Sequence, residues 1–312
     1  MEYNQFLTYI LTSVQSFMGP DVQVSLHKVL KNNNIQLDGL MILPPGQNIS
    51  PTIYLNAYYQ DFLNGASLSS IVSAVLEVYE NAVLSPPAGA DLLHSFRDAR
   101  HRIVYKLIHR QSNQSFLEQV PFLPFLDLAI VFYILVSAET REELTVTITR
   151  AHINMWQTTE DALMEAASVN TPLLYRCRCV ALEEMVGELM REAAEPDISD
   201  SQPAGLLLQP PFQENTSPLP MYILTNHKRL NGAACLLYDH VLETFAEQAG
   251  RNFFILPSSI HETILVPHLE YLDREALNNM VREVNQTYVQ PWDRLSDHVY
   301  YYTADTGSIT VC

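Results

Sequence analysis

The residue types that a hydrolase uses occur together in residues 257–262, whose sequence is PSSIHE. Ser258 and Ser259 offer hydroxyl nucleophiles. His261 offers a base and Glu262 a carboxylate, and nucleophilic catalysis requires groups of these three kinds in hydrogen-bond contact. In an extended segment, however, neighbouring side chains point to opposite faces, so Glu262 cannot orient the His261 ring locally. The Gly-x-Ser-x-Gly nucleophile elbow is also absent from the stretch.

The same residues are typical of a turn, because serine and proline recur where a chain changes direction. In that case the serines and Glu262 satisfy backbone donors, and His261 packs or hydrogen-bonds across strands. Such a corner can also display groups to a ligand or a partner. We therefore predict a binding site with no assigned catalytic residue. Its predicted members are Asn226, Asn231, Pro257, Ser258, Ser259, His261, Glu262 and Asp127.

Asp127 interrupts the most hydrophobic part of the chain, residues 123–138. The apolar pattern there predicts a strand over residues 125–136, and an unpaired carboxylate buried in a strand is costly. We expect Asp127 to lie at an exposed strand end or to pair with an arginine from residues 97–110. A functional carboxylate with a perturbed pKa is the alternative interpretation.

The sequence predicts no cofactor and no metal site. His94, His101 and His109 fall on a predicted helix over residues 91–111, but their spacing is not the i, i+4 step of a helical metal site. The Cys-Arg-Cys motif that begins at Cys177 has no second pair to complete a tetrahedral zinc site. The 10 glycines form no phosphate-binding loop.

The elements that position the corner are predicted from apolar periodicity and turn signals. Asp239 is the expected N-cap of a helix that Gly250 ends, and Asn231-Gly232 is an expected turn. The predicted order is a strand over 221–225, the turn, a helix over 241–249, a strand over 252–256, an extended run over 260–266, a helix over 274–287 and a strand pair within 298–311. The corner therefore falls between two strands.

The predicted fold class is α+β, with mixed or antiparallel sheets, packed helices and two to three lobes. A Ser-Pro-Pro-Ala-Gly segment and a proline-rich segment mark the boundaries. The expected parts are an N-terminal lobe over 1–85, a central lobe over 90–195, a proline-rich loop over 196–220 and a C-terminal lobe over 221–312. We expect the central and C-terminal lobes to share a core.

The charge of the chain limits its partners. Lys and Arg number 18 against 35 Asp and Glu, which gives a net charge of −17 and disfavours a nucleic-acid partner. Residues 1–18 do not resemble a secretory signal, and residues 123–138 are too short and interrupted to span a bilayer. The four cysteines show no disulfide pattern. We expect a cytoplasmic protein with a protein partner and no membrane partner.

The chain resembles, over nearly its full length, a bacterial family of unknown function found mostly in gut Firmicutes. The motifs that carry the resemblance are KNNNIQLDGL (31–40), NISPTIYLNAYYQDFLNG (48–65), RIVYKLIHR (102–110), PFLPFLDLAIVFY (121–133), NTPLL (170–174), YILTN (222–226), NGAACLLY (231–238) and ILPSSIHE (255–262). From the central strand onward, the layout of the chain is also similar to a second uncharacterised family from Bacillus relatives, which has a Pro-Ser-Arg-Asp-like corner where this chain has Pro257-Ser258-Ser259. Neither resemblance implies an activity.

The absence of familiar catalytic motifs and the acidic, well-packed composition favour a non-enzymatic function. We expect a binding or regulatory module that acts through protein contacts. The alternative is a hydrolase or transferase of unknown substrate, with its site at residues 257–262.

Overall fold

A computed structural model describes residues 1–46, 50, 52–83, 93–137, 144–194 and 219–312. The chain divides into two compact units, Met1–Ala90 and Asp91–Cys312. Helices and three antiparallel sheets alternate along the described residues, which confirms the predicted α+β class.

In its described residues, the first unit packs three α-helices with one antiparallel sheet of three strands in the order β1-β2-β3. Its elements are α1 (Tyr3–Met18), β1 (Gln23–Leu30), β2 (Gln36–Leu43), β3 (Thr52–Tyr54), α2 (Leu55–Leu63) and α3 (Leu68–Val83). Phe6, Ile10 and Val14 recur at helical spacing on α1 and are fully buried with Leu40 of β2. This apolar stripe explains why residues 3–18 form a helix.

The second unit contains a four-stranded antiparallel sheet built around β6. Its strands are β4 (Ile103–His109), β5 (Phe122–Phe125), β6 (Leu128–Ser137) and β7 (Leu144–Thr147). β4 pairs with one edge of β6, while β5 and β7 pair with successive parts of its other edge.

The predicted helix over residues 91–111 is wrong. Among the described residues 93–111, only α4 (Phe96–Ala99) is α-helical, and a 3-10 turn, Arg100–Arg102, leads into β4. The apolar side chains of β4 alternate between two clusters, with Tyr105 in one and Val104 in the other. Both faces are buried, so this strand has the continuous apolar run that also suits a buried helix.

A six-stranded antiparallel sheet completes the second unit in the order β13-β12-β10-β11-β9-β8. Its strands are β8 (Cys177–Ala181), β9 (Tyr222–Asn226), β10 (Phe253–Leu256), β11 (Thr263–Pro267), β12 (Tyr300–Thr303) and β13 (Ser308–Val311). The packed helices are α5 (Gln114–Leu117), α6 (Arg150–Trp156), α7 (Glu160–Leu174), α8 (Leu182–Ala194), α9 (Val241–Ala249) and α10 (Arg274–Thr287). The predicted helix over 274–287 and the closing strand pair are confirmed.

One hydrophobic core joins the two sheets of the second unit. It contains Phe132 of β6, Leu224 of β9 and Tyr300 of β12, all fully buried. A 3-10 helix, Gly232–Leu237, carries Cys235 into the same core.

The helix that follows, α9, begins differently from the prediction. The residue at its N-cap is His240 in left-handed backbone geometry, so the expected Asp239 cap is wrong. Gly250 ends α9 with a φ of 64°, which confirms the predicted C-terminal stop.

Candidate functional site

Residues 257–262 form the loop between the antiparallel strands β10 and β11, as predicted. The loop is fixed by a segment that follows α10 in the chain, residues 293–296. Three backbone hydrogen bonds of 2.8–3.1 Å connect them, from Ile260 N to Asp293 O, from Leu295 N to Ser258 O and from Ser296 N to Pro257 O. The corner is therefore a paired backbone segment with a defined conformation.

Both ring nitrogens of His261 have hydrogen-bond partners. Nδ1 accepts the backbone N–H of Asn231 at 3.2 Å, which leaves the ring proton on Nε2. Nε2 lies 3.2 Å from Asp293 Oδ1 and donates to it, and the two side chains are 28% and 25% exposed. Ser259 Oγ does not bind the ring but accepts the backbone N–H of His261 at 3.0 Å. The corner contains a histidine–carboxylate pair in which Ser259 is not placed as a nucleophile.

Glu262 and Ser259 contact each other at the inner side of the corner. Burial raises the pKa of Glu262, while the neighbouring His261 and a hydrogen bond from Ser259 oppose the rise. Ser259 is only 5% exposed. Their hydrogen bonds place both side chains in the framework of the loop.

The predicted residues Asn226 and Asn231 lie on the turn that faces the corner. The Asn226 side chain organises this turn, because its Nδ2 donates to Leu230 O at 2.7 Å and its Oδ1 accepts from Lys228 N at 3.0 Å. Asn231 adopts left-handed geometry with a φ of 53°. The turn places the Asn231 backbone N–H against the His261 ring.

Gly232 is required for this close contact. A Cβ atom at this position would lie 2.2 Å from Thr225 Oγ1 and 2.4 Å from the backbone oxygen of His261. Thr225 Oγ1 itself donates to that His261 oxygen at 2.8 Å. The predicted Asn-Gly pair thus provides both the left-handed turn and the space for the turn to pack on the corner.

Asp127 lies in the turn before β6, where Leu126 has a φ of 53°. It directly precedes Leu128, the first residue of β6, which agrees with the first of the two alternatives, a position at the start of the strand. The partners found for its carboxylate are not arginines. Its Oδ2 accepts from Ser296 Oγ at 2.7 Å and faces His298 Nδ1 at 3.2 Å, and its Oδ1 accepts from the Tyr300 hydroxyl. The carboxylate connects the turn of one sheet to Tyr300, the first residue of β12 in the other, and to Ser296 and His298 just before that strand.

Hydrogen bonding keeps Asp127 ionised. Burial acts to raise the pKa of this carboxyl, but hydrogen bonds from Tyr300, Ser296 and His298 outweigh it, so the pKa is below its usual range. Tyr300 is fully buried, and burial together with Asp127 raises the pKa of its hydroxyl. Tyr300 is therefore a permanent donor to the carboxylate at neutral pH.

The three histidines His94, His101 and His109 do not share a helix. His109 is the last residue of β4, and this position brings it close to Asp127. His109 Nδ1 is 2.7 Å from Ser112 Oγ, which gives the residue types of a triad. Its Nε2 is 3.9 Å from Asp127 Oδ2, however, which is too long for a hydrogen bond. The carboxylate does not orient the ring as a catalytic triad requires.

The described ranges contain neither a metal-binding cluster nor a membrane-spanning helix. No group of three or more His, Cys, Asp or Glu side chains there has the geometry to hold a metal ion. Among the described helices, none combines the length and apolar character needed to cross a bilayer.

A cleft of about 400 Å³, its open mouth included, runs along the edge of β4. Its lining includes Tyr105, Lys106, Tyr133, Thr145, Asn226 and Asn231. The predicted residues Asn226 and Asn231 thus border a recess that the sequence did not reveal. Residues from both faces of β4 contribute, together with the turn after β9.

Tyr105 and Lys106, two neighbouring residues of β4 that line the cleft, have polar groups without a hydrogen-bond or carboxylate partner among the described residues. The Tyr105 hydroxyl is buried and has no hydrogen-bond partner among the described residues. Lys106 Nζ lies 4.3 Å from the centroid of the Tyr133 ring and has no carboxylate partner in the described part of the chain. Burial raises the pKa of Tyr105, so its hydroxyl remains protonated.

Several of these residues were missed from the sequence. Asp293, Ser296 and His298 were not singled out, although they form a polar run after α10, and such a run before a strand can be recognised. Tyr105 and Lys106 were hidden by the incorrect helix prediction. Their placement in a cleft depends on the distant turn after β9, for which the sequence of β4 contains no signal.

The fold and the cleft define a mixed α+β protein whose second unit joins two antiparallel sheets beside a polar recess. The chain belongs to the family of unknown function DUF5688, which matches residues 3–304 of its 312 residues. The predicted full-length resemblance to a family of unknown function is thereby confirmed. No curated protein and no solved structure matches the chain significantly.

Proposed function

We propose that this protein is a non-enzymatic binding module that acts through protein contacts. A side chain or chain end of the partner enters the cleft beside β4. The observation that carries the proposal is the cleft itself, a recess lined by Asn231, Tyr133 and Lys106, whose ammonium has no carboxylate partner among the described residues. A recess lined by aromatic, polar and charged side chains is typical of a site that receives a group from a ligand or partner.

The corner at residues 257–262 supports this proposal better than it supports a hydrolase or transferase. The His261 ring is engaged by Asn231 and Asp293, and Ser259 Oγ is bonded to backbone. The same contacts hold Asn231, which lines the cleft, in one position. The corner therefore acts as a support for the binding residues.

The proposed setting is the cytoplasm, and the proposed partner is a protein. All four cysteines are free thiols, which is typical of a reducing compartment. A net charge of −17 opposes association with a nucleic acid. We include no membrane partner in the proposal.

The test is to select random peptides on the full chain by phage display and to map their site. Thr145 is exposed and lines the cleft, so Thr145→Trp blocks the recess without removing a core residue. We expect this variant to lose the selected peptides, while Thr310→Trp, a change of another exposed strand threonine at β13, keeps them. Peptides that bind both variants equally well would show that the cleft is not the site.

A further inference from the structure

We propose that the protonation state of His261 regulates binding in the cleft, because the neutral ring holds one wall of the cleft in place and the protonated ring releases it. This inference rests on the proposed function and concerns the regulation of the same site. The peptide group between Leu230 and Asn231 joins two residues that line the cleft. Its oxygen accepts from Asn226 Nδ2 at 2.7 Å. Its N–H donates to His261 Nδ1 at 3.2 Å, so side chains hold the peptide group at both ends.

The hydrogen bond from Asn231 requires a neutral histidine. A neutral imidazole has one donor and one acceptor nitrogen, whereas an imidazolium has two donors. A proton on His261 Nδ1 would face the N–H of Asn231, and two donors cannot share a hydrogen bond. Histidine is the side chain that takes up a proton between pH 8 and pH 5, and the partly exposed His261 ring is accessible to solvent. Protonation therefore breaks the contact with the turn.

The groups around the ring leave the corner itself in place when His261 is protonated. The segment after α10 presents the Asp293 carboxylate to Nε2, and the loop itself presents Glu262, whose pKa is raised by burial. From β9, the uncharged Thr225 hydroxyl donates to the backbone oxygen of His261. Nε2 carries a proton in both states of the ring, and a charged donor strengthens its bond to Asp293. The contact that protonation removes is therefore the one with Asn231.

The lost contact affects the cleft because Asn231 is in a backbone conformation that needs support. Its φ of 53° lies in the left-handed region, which residues other than glycine adopt at a cost. Such a conformation persists where neighbouring groups hold it, and the His261 ring is one of these groups. When this bond is broken, the peptide group can rotate, and Leu230 and Asn231 move at the wall of the cleft. A partner that contacts this wall then binds more weakly.

The experiment is an NMR titration of the ²H,¹⁵N-labelled full chain from pH 7.5 to pH 5.5. The ring signals of His261 report its protonation, and the amide signals of Leu230 and Asn231 report the position of the turn. We expect all three to change with the same midpoint. The peptide that the phage selection enriches most should bind about 3- to 10-fold more weakly at pH 5.5 than at pH 7.5, because one hydrogen bond that fixes the cleft is lost.

Two variants test the assignment to His261. His261→Asn replaces Nδ1 by an amide oxygen, which accepts a hydrogen bond and does not titrate. We expect this variant to keep the Asn231 amide signal and the peptide affinity the same at both pH values. His268→Asn is the matched control, since His268 belongs to the same unit and its Nδ1 lies 2.9 Å from the Tyr301 hydroxyl. It should keep the pH dependence of the unaltered chain.

The outcomes separate this inference from the proposed function. If the Asn231 amide titrates in His261→Asn as it does in the unaltered chain, or with a midpoint different from that of the His261 ring, the regulation by His261 is wrong. Equal peptide affinity at both pH values also overturns it, while binding in the cleft stands. If the selected peptides bind Thr145→Trp normally, the proposed function itself fails, and the regulation of the cleft fails with it.

Discussion

Tyr105 and Tyr238 are two buried tyrosines whose rings pack edge to face at 6.4 Å, but their hydroxyls are in opposite situations. The Tyr238 hydroxyl donates to Tyr175 O at 2.8 Å, whereas the Tyr105 hydroxyl has no partner in the described ranges. Burial of an unsatisfied hydroxyl costs free energy that a satisfied one recovers. The pair therefore provides an internal comparison between a satisfied and an unsatisfied buried hydroxyl.

Replacing each tyrosine by phenylalanine measures this difference. We expect Tyr105→Phe to leave the free energy of unfolding unchanged or to raise it by up to about 1 kcal/mol, since no protein hydrogen bond is lost. Tyr238→Phe should lower it by about 1–2 kcal/mol, because the Tyr175 oxygen loses its donor. Urea unfolding followed by tryptophan fluorescence gives both values, because Trp156 and Trp292 lie in the same unit as the two tyrosines. Equal losses in the two variants would mean that the Tyr105 hydroxyl is hydrogen-bonded in the folded chain.

A second prediction at this scale concerns Gly232. A methyl group there meets Thr225 Oγ1 and the backbone oxygen of His261 at under 3 Å, and the backbone oxygen cannot rotate away. We expect Gly232→Ala to lower the free energy of unfolding by about 3 kcal/mol or more. Gly187→Ala is the matched control, because Gly187 lies inside α8 with open space around its Cβ position. It should raise stability by about 0.5–1 kcal/mol in the same urea series.

At the scale of elements, the local periodicity of apolar residues was sufficient to predict an element where only one of its faces is buried. The helix over 274–287 could be predicted because α10 alternates buried Leu277 and Val281 with exposed polar residues. β4 could not be predicted as a strand, because it is covered on both faces. Its apolar run fits a buried strand and a buried helix equally.

The candidate site likewise has one part that the sequence indicates and another part that it does not. The corner and Asp127 were recognised from residue types alone, since a polar group in an apolar setting stands out. The partners of Asp127 were not recognised, because Ser296 and Tyr300 are 169 and 173 residues from it along the chain. Sequence spacing contains no information on contacts of that separation. The contacts of Asp127 with Ser296 and Tyr300 form because the two sheets of the second unit share a core.

Asp127 provides the prediction at this scale. Asp127→Asn keeps the shape but places an NH₂ group where an oxygen now accepts from Ser296 or Tyr300. We expect a loss of about 2–3 kcal/mol in the free energy of unfolding, because a buried donor then faces a donor. Hydrogen exchange should increase at the start of β6 and of β12. Asp305→Asn, in the exposed turn between β12 and β13, should change stability by less than about 0.5 kcal/mol.

At the scale of the whole molecule, the two units have separate hydrophobic cores among the described residues. A chain with two cores is not expected to unfold in a single two-state transition. The chain has two tryptophans, and both Trp156 and Trp292 belong to the second unit. Tryptophan fluorescence therefore reports on the second unit, while circular dichroism reports on both.

Acid sensitivity is expected in the second unit, because His109 lies there. Burial lowers the pKa of His109 below the usual 6.5; Asp127 and Asp297 oppose the shift, and His298 and Arg110 add to it. A lowered pKa means that the folded state binds the proton less well than the unfolded chain. The stability from neutral His109 is complete above about pH 6.5 and is lost as the pH falls through its folded value.

Two carboxyl groups modify the pH dependence of the stability of the second unit at lower pH. The pKa of Asp127 is lowered, so its stabilising effect persists until the pH falls below about 3.8, outside the range of the His109 effect. The pKa of Glu262 is raised from 4.5 by burial, so protonation of Glu262 favours the folded state as the pH falls through its folded value. Glu262 therefore opposes the loss caused by His109 toward the acid end of the range.

We therefore expect the urea midpoint measured by tryptophan fluorescence to fall as the pH is lowered from 7.5 to 5.5. His109→Gln should flatten this slope, because glutamine does not titrate. His27→Gln changes an exposed histidine of the first unit and should leave the fluorescence slope unchanged. Glu262→Gln should steepen the decline at its acid end, since the opposing protonation is removed. If the slope persists in His109→Gln, the acid sensitivity is caused by another group and not by the burial of His109.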